Sequence, residues 1–140
     1  ENIFHLSFLW ELFPESVVIH VKRDPRGVAL SILKQAWGPN NLENVCTFLT
    51  TLYDRWSRVA PDLDKHDRNY IEVKLEHLVA SPDVVLSEVV SRLGLHNNFD
   101  PLPNVEPDRV GYWRNELSGE EKRLLNRMLG PYIEQMGYEI

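Results

Sequence analysis

Cysteine is almost absent from the 140 residues: only Cys46 occurs. No internal disulfide can form, and a zinc cluster of thiolates is excluded. A lone thiol fits a reducing compartment, so a cytoplasmic location is favoured while the location itself stays undetermined. Long apolar runs are missing as well. None reaches the roughly 20 residues that span a bilayer, so no membrane segment is expected. Basic excess is lacking, with 15 Lys+Arg against 21 Asp+Glu and a formal net charge of −6. That balance argues against a general nucleic-acid or membrane-surface binder, which would want a basic face. Phosphate recognition stays open where a few basic residues cluster. No Gly-x-x-x-x-Gly-Lys stretch is present, which counts against a nucleoside-phosphate kinase. The chain has no initiator Met, and Glu1-Asn2 lacks the basic start of a secretory signal. It enters directly into an apolar pattern, as a fragment or processed piece would. No internal repeat or low-complexity segment is visible.

What is present is enough for one core. Hydrophobic residues make up 43% and charged residues 26%, the balance of a folded domain, and the length leaves little room for a second one. Residues 3–13 suit a short buried helix with Asn2 as N-cap and Pro14 as stop. Val17 to Val21 reads as a buried strand of the kind found in parallel sheets. Asp24 and Pro25 then form an N-cap and first helical residue, followed by an apolar face of Ala29, Leu30, Leu33 and Ala36. After a loop at 37–41, apolar residues from Val45 to Val59 recur at helical steps, with Pro61 ending or kinking the helix. Asn69 to Leu75 alternates as a second strand. Ser81-Pro82 opens a helix closed by Gly94. Residues 95–116 form a long irregular stretch with three prolines. Ser118-Gly119-Glu120-Glu121 is a capping box that starts a last helix, with Pro131 a kink and Gly137 an end. The pattern is α/β, and two strands in sequence order are most simply parallel neighbours. Two strands cover less apolar surface than the chain carries. Further strands must come from a partner or from sequence absent here, and the open sheet predicts self-association.

The chemistry concentrates between Val17 and Ser31. A strand delivers Arg23 at its carboxyl end, where open α/β sheets bind ligands. A helix begins at once, and its N-terminus offers N–H groups and a positive dipole end to an anion. The Arg23 guanidinium fits phosphate oxygens, and Ser31, two turns along the helix, can share the anion. The plainer alternative is a surface pair of Arg23 and Asp24 closing a turn, with Ser31 solvated.

The segment Phe13-Pro14-Glu15-Ser16-Val17-Val18-Ile19-His20-Val21-Lys22-Arg23-Asp24-Pro25-Arg26-Gly27-Val28-Ala29-Leu30-Ser31 resembles the 3′-phosphate-binding segment of the sulfotransferases. Residues 70–82 are similar to the family's second strand and its continuation to Pro82. Val110-Gly111-Tyr112-Trp113-Arg114 and the helix after Leu117 resemble its C-terminal segment. The likeness runs closest to the bacterial and tyrosyl-protein branches. It implies a P-loop-like three-layer sulfotransferase fold, here only its C-terminal part, helix-rich with about two parallel strands in one partial domain over 1–140. It implies 3′-phosphoadenosine 5′-phosphosulfate as co-substrate, with Arg23 and Ser31 on the 3′-phosphate. Arg109 is the first candidate for a further basic contact and Arg114 the second. The family's 5′-phosphosulfate loop and catalytic base lie upstream of Arg23 and have no counterpart in these residues, so no catalytic residue is assigned. The Tyr often placed beside the adenosine corresponds to Leu75.

The function expected is therefore sulfuryl transfer to an unidentified hydroxyl or amine, inactive without the 5′-phosphosulfate half. The rival is a non-catalytic nucleotide-binding or protein-interaction module built on the same fold. No metal is expected: His66, His77 and His96 are isolated, and Asp62, Asp64 and Asp67 lack the Gly and closing Glu of a calcium loop. His20 reads as strand packing, Phe48, Tyr53 and Trp56 as a core stripe, Glu76 as a hydrogen-bonding group at the strand end, and Cys46 as an inert helix residue.

Overall fold

The computed structural model describes residues 2–63, 69–96 and 110–140. After a short 3₁₀ turn at Asn2–His5, the chain forms α1 (Leu6–Leu12), β1 (Val18–Lys22), α2 (Pro25–Leu33) and α3 (Leu42–Leu63). There follow β2 (Tyr70–Lys74), α4 (Leu75–Ala80), α5 (Pro82–Arg92), α6 (Trp113–Glu116) and α7 (Gly119–Gln135). This is a helix-rich α/β fold. β1 and β2 pair in parallel, with Val18 opposite Tyr70, His20 opposite Glu72 and Lys22 opposite Lys74. Among the described residues no helix is long and apolar enough to cross a membrane. Two compact units result, Glu1–Lys22 with Arg55–Pro107, and Arg23–Asp54 with Asp108–Ile140.

The first unit holds the sheet. Asn69 stitches the two strands at their start: its carbonyl accepts from Val18 N at 2.9 Å, and its side-chain amide donates to the Pro14 and Ser16 carbonyls at 2.7 and 3.1 Å. Alternation then puts Ile19, Val21, Ile71 and Val73 on one face. Ile71 and Val73 are buried in a small core with Val89, flanked by Leu78, Val85 and Leu93 of the helices that follow β2. Ile19 and Val21 share that face yet stay 47% and 49% exposed. The expectation of a strand buried on both faces therefore fails for β1. Its β-branched run is real, but the covering helices α4 and α5 reach only its neighbour. The N-terminal helix is likewise half-buried rather than buried: Leu6 and Trp10 point inward, while Phe8, Leu12 and Phe13 are exposed.

The second unit closes around Ala29 and Leu30 of α2, Val45, Cys46 and Leu49 of α3, Trp113, Leu117, and Leu125, Leu129 and Ile133 of α7. The expected capping box starts α7: Ser118 Oγ accepts from Glu121 N, and the Glu121 carboxylate accepts from Ser118 N at 2.8 Å. α7 continues through Pro131 to Gln135, and Gly137 takes φ +76°, the left-handed conformation that ends helices.

Some elements differ from expectation. Leu75, assigned to β2 by alternation, begins α4. The four-residue α6 lies inside the stretch expected to be irregular. Phe48 faces outward, while Trp56 is buried and Tyr53 packs against the second unit's core, so the stripe on α3 keeps those two and takes Val45 and Leu49 in place of Phe48.

Candidate functional site

Asp24 decides where α2 starts. Its Oδ1 accepts from Arg26 N at 2.9 Å, capping the first turn, and Pro25 follows with a fixed φ suited to the first helical position. The same carboxylate forks onto the Arg26 side chain, with Nε at 3.0 Å from Oδ1 and Nη2 at 2.8 Å from Oδ2. Arg26 Nη2 also donates to the Glu139 carbonyl at 2.6 Å, and its guanidinium lies 4.2 Å from the Trp113 ring centre. Both residues are almost wholly buried, at 4% and 5% exposure. A buried bidentate pair of this kind is neutral as a unit and fixes geometry. Arg26 thus fastens the start of α2 to the C-terminal residues and is spent as a ligand for anything else. Sequence reasoning named Asp24 as a cap but missed this pairing. Burial combined with the Asp24 charge pushes the Tyr53 hydroxyl pKa up, so the ring stays neutral.

Arg23 is placed differently. It is half-buried, and its side chain lies back over the first turn of α2. A Cβ built on Gly27 would stand 3.0 Å from Arg23 Nε, 3.4 Å from Nη2 and 3.5 Å from Cζ. Gly27 and Ser31 are one turn apart on the same helix face. The guanidinium therefore sits on the face that carries Ser31, which is itself half-buried. The Tyr112 ring centre is 5.4 Å from Arg23 Cζ, within cation–π range. Lys34, three residues beyond Ser31, approaches the same ring at 5.1 Å and is ion-paired with Glu116. These distances bring Arg23, Gly27, Tyr112 and Lys34 into one neighbourhood. Gly27 and Tyr112 were not singled out as neighbours of Arg23 from the sequence.

Of the other candidates, Arg109 lies outside the described residues, as do His66, Asp64 and Asp67. Arg114 is exposed and stacks 4.7 Å from the Trp113 ring centre, with Nη1 folded against Gly111. Gly111 has φ +79°, and a Cβ there would fall 2.4 Å from that nitrogen. Among the described residues no group of three or more His, Cys, Asp or Glu is placed to hold a metal ion.

A second polar cluster belongs to the sheet unit. His20 packs on Trp56 at 4.9 Å between ring centres, the strand packing anticipated for it. It also shares a 2.6 Å hydrogen bond with Tyr70 Oη, which donates to Glu72 Oε1 at 3.1 Å. Lys22 Nζ meets Glu72 Oε2 at 2.5 Å. His20, with Lys22 and Tyr70, outweighs burial and holds the Glu72 carboxyl well below the usual range, at about 2. A cleft of about 100 Å³ lined by β2, α4 and α5 residues, among them Lys74, His77, Glu88 and Arg92, is too small for a nucleotide. None of residues 23–31 lines it.

Residues 1–101 match the profile of the Sulfotransferase family. The omega-hydroxy-beta-dihydromenaquinone-9 sulfotransferases Stf3 of Mycobacterium bovis and Mycobacterium tuberculosis are each 25% identical to the chain over 152 aligned positions. The match takes in 97% of the chain and 39% of each relative, so the chain spans about two fifths of the length of these curated relatives. No solved structure matches. With the profile covering well over half of its length, the chain belongs to the sulfotransferase family.

Proposed function

We propose that the segment from Arg23 to Ser31 binds the 3′-phosphate of 3′-phosphoadenosine 5′-phosphosulfate. The chain would then be the C-terminal part of one P-loop-like, three-layer sulfotransferase domain. The observation that carries this reading is the Arg23 guanidinium laid on the α2 face that bears Ser31. A planar cation at the end of a strand and the start of a helix suits a phosphate dianion. The chemistry of the donor set fits as well. Arg26 is neutralised by Asp24, so Arg23 supplies the charge that faces the ligand. Arg109, and Arg114 after it, are proposed as further basic contacts.

Sulfuryl transfer, like phosphoryl transfer, depends on positioning and on stabilising spread negative charge. Arg23 and Ser31 would hold the donor's far end and orient it, without touching the bond that breaks. The reaction also needs a general base for the acceptor and groups around the sulfuryl moiety. We assign these to the remainder of a sulfotransferase domain. The mycobacterial relatives are named for an omega-hydroxy acceptor, and a hydroxyl is the acceptor class we adopt.

Calorimetric titration with adenosine 3′,5′-bisphosphate, set against adenosine 5′-monophosphate, tests the reading. The bisphosphate should bind more tightly, and Arg23→Ala should remove about 1.5–3 kcal/mol of that preference, the range for a hydrogen bond to a charged group. This corresponds to roughly ten- to hundredfold in affinity. Equal binding of the bisphosphate by Arg23→Ala and wild type would sink the assignment.

A further inference from the structure

We propose that Gly27 is a positioning residue for this phosphate contact: its bare Cα seats the Arg23 guanidinium on the first turn of α2, on the face that leads to Ser31. The inference rests on the 3′-phosphate reading above and adds what fixes the cation's geometry.

Glycine at this position needs a reason. It lies inside α2, where alanine is the more favourable residue. Its backbone does not call for glycine, since the glycines with positive φ are Gly94, Gly111 and Gly137. Space is the remaining explanation, and the space is taken by one side chain. The three atoms nearest to a Cβ at Gly27 are Nε, Nη2 and Cζ of Arg23, at 3.0, 3.4 and 3.5 Å. Nε and Nη2 are both nearer than Cζ, so the guanidinium rests on the glycine through its Nε–Nη2 edge, leaving no room for a methyl between them and the helix. Gly27 is itself buried.

A methyl at this position would crowd Nε beyond ordinary van der Waals contact. Arg23 has free torsions and would yield by lifting off the helix, which costs the fold little. The fork would then leave the helix face it shares with Ser31, and a bidentate grip on a tetrahedral anion depends on that orientation. Gly27 therefore trades helix propensity for the pose of its neighbour.

The signs of the two effects separate this role from a structural one. In the full 140-residue chain, Gly27→Ala should weaken adenosine 3′,5′-bisphosphate binding about tenfold and leave adenosine 5′-monophosphate unchanged, while the melting temperature stays equal or rises. Gly27→Ser brings the same Cβ and should show the same loss. In an Arg23→Lys background, where no planar fork rests on the glycine, adding Gly27→Ala should change bisphosphate affinity by less than about twofold. Unaltered bisphosphate binding by Gly27→Ala overturns the inference. So does an equal loss for both nucleotides, a lowered melting temperature, or a loss that persists with Lys at 23. If Arg23→Ala loses the bisphosphate preference but Gly27→Ala does not, the positioning role alone falls. If Arg23→Ala has no effect, or the wild-type chain does not bind the bisphosphate, the anion-binding reading falls and takes this one with it.

Discussion

The two units put similar apolar side chains to different ends. In the unit formed by 23–54 and 108–140, Leu125, Leu129 and Ile133 present a full helical stripe, and each has no exposed surface. In the sheet unit, Ile71 and Val73 are buried while Ile19 and Val21, one strand over on the same face, are about half exposed. Residue chemistry is the same; what differs is whether an element lies over it. A helix stripe closed by two other helices completes a core. A two-stranded sheet with helices over one strand leaves the other as an open surface.

Three substitutions test that contrast. Leu129→Ala should have the largest effect, a loss of about 2–5 kcal/mol on urea unfolding, because it opens a cavity in a closed core. A loss below about 1 kcal/mol would mean that this core is loosely packed. Next comes the Glu72 cluster. The folded carboxyl titrates at about 2, below the ordinary 4.5, so its charge stabilises the fold above about pH 4.5 and that contribution fades as pH falls toward 2. The side chain is 36% exposed, and solvent screening reduces the contribution to about 1 kcal/mol. The stability gap between wild type and Glu72→Gln should therefore narrow steadily from pH 5 to pH 2. A gap that held constant over that range would show that the charge does not contribute. Smallest of all is Ile19→Thr on the open face, expected to shift stability by no more than about 0.5 kcal/mol. A loss above about 1 kcal/mol that grows with protein concentration would show instead that a second copy covers this face.

The sequence made some of these features plain and hid others for physical reasons. Asp24-Pro25 announced the start of α2 because capping is local, a matter of side chain and backbone two residues apart. Ser118 and Glu121 were legible for the same reason. α4 was not, since the apolar alternation of 71, 73 and 75 carries on smoothly across the strand end into a helix. α6 has four residues, too few to show a period. The openness of β1 could not be read from a β-branched run, which is the same whether or not something covers it. At the candidate site, spacing placed Arg23 and Ser31 on one segment. It could not show that Arg26, paired with its near neighbour Asp24, would also be held by the Glu139 carbonyl, a contact that depends on tertiary packing over 113 positions. The role of Gly27 was hidden in a run that reads as an ordinary strand-to-helix turn.

The lone thiol of Cys46 has a practical consequence. It has no exposed surface, and burial together with Glu43 pushes its pKa up to about 11. Alkylating reagents need an accessible thiolate, and the native chain offers neither access nor charge there. Modification at this sulfur consequently marks the moments when the helices around it part. The protein carries an internal stopwatch for the breathing of one half of its architecture, readable by mass without any introduced label.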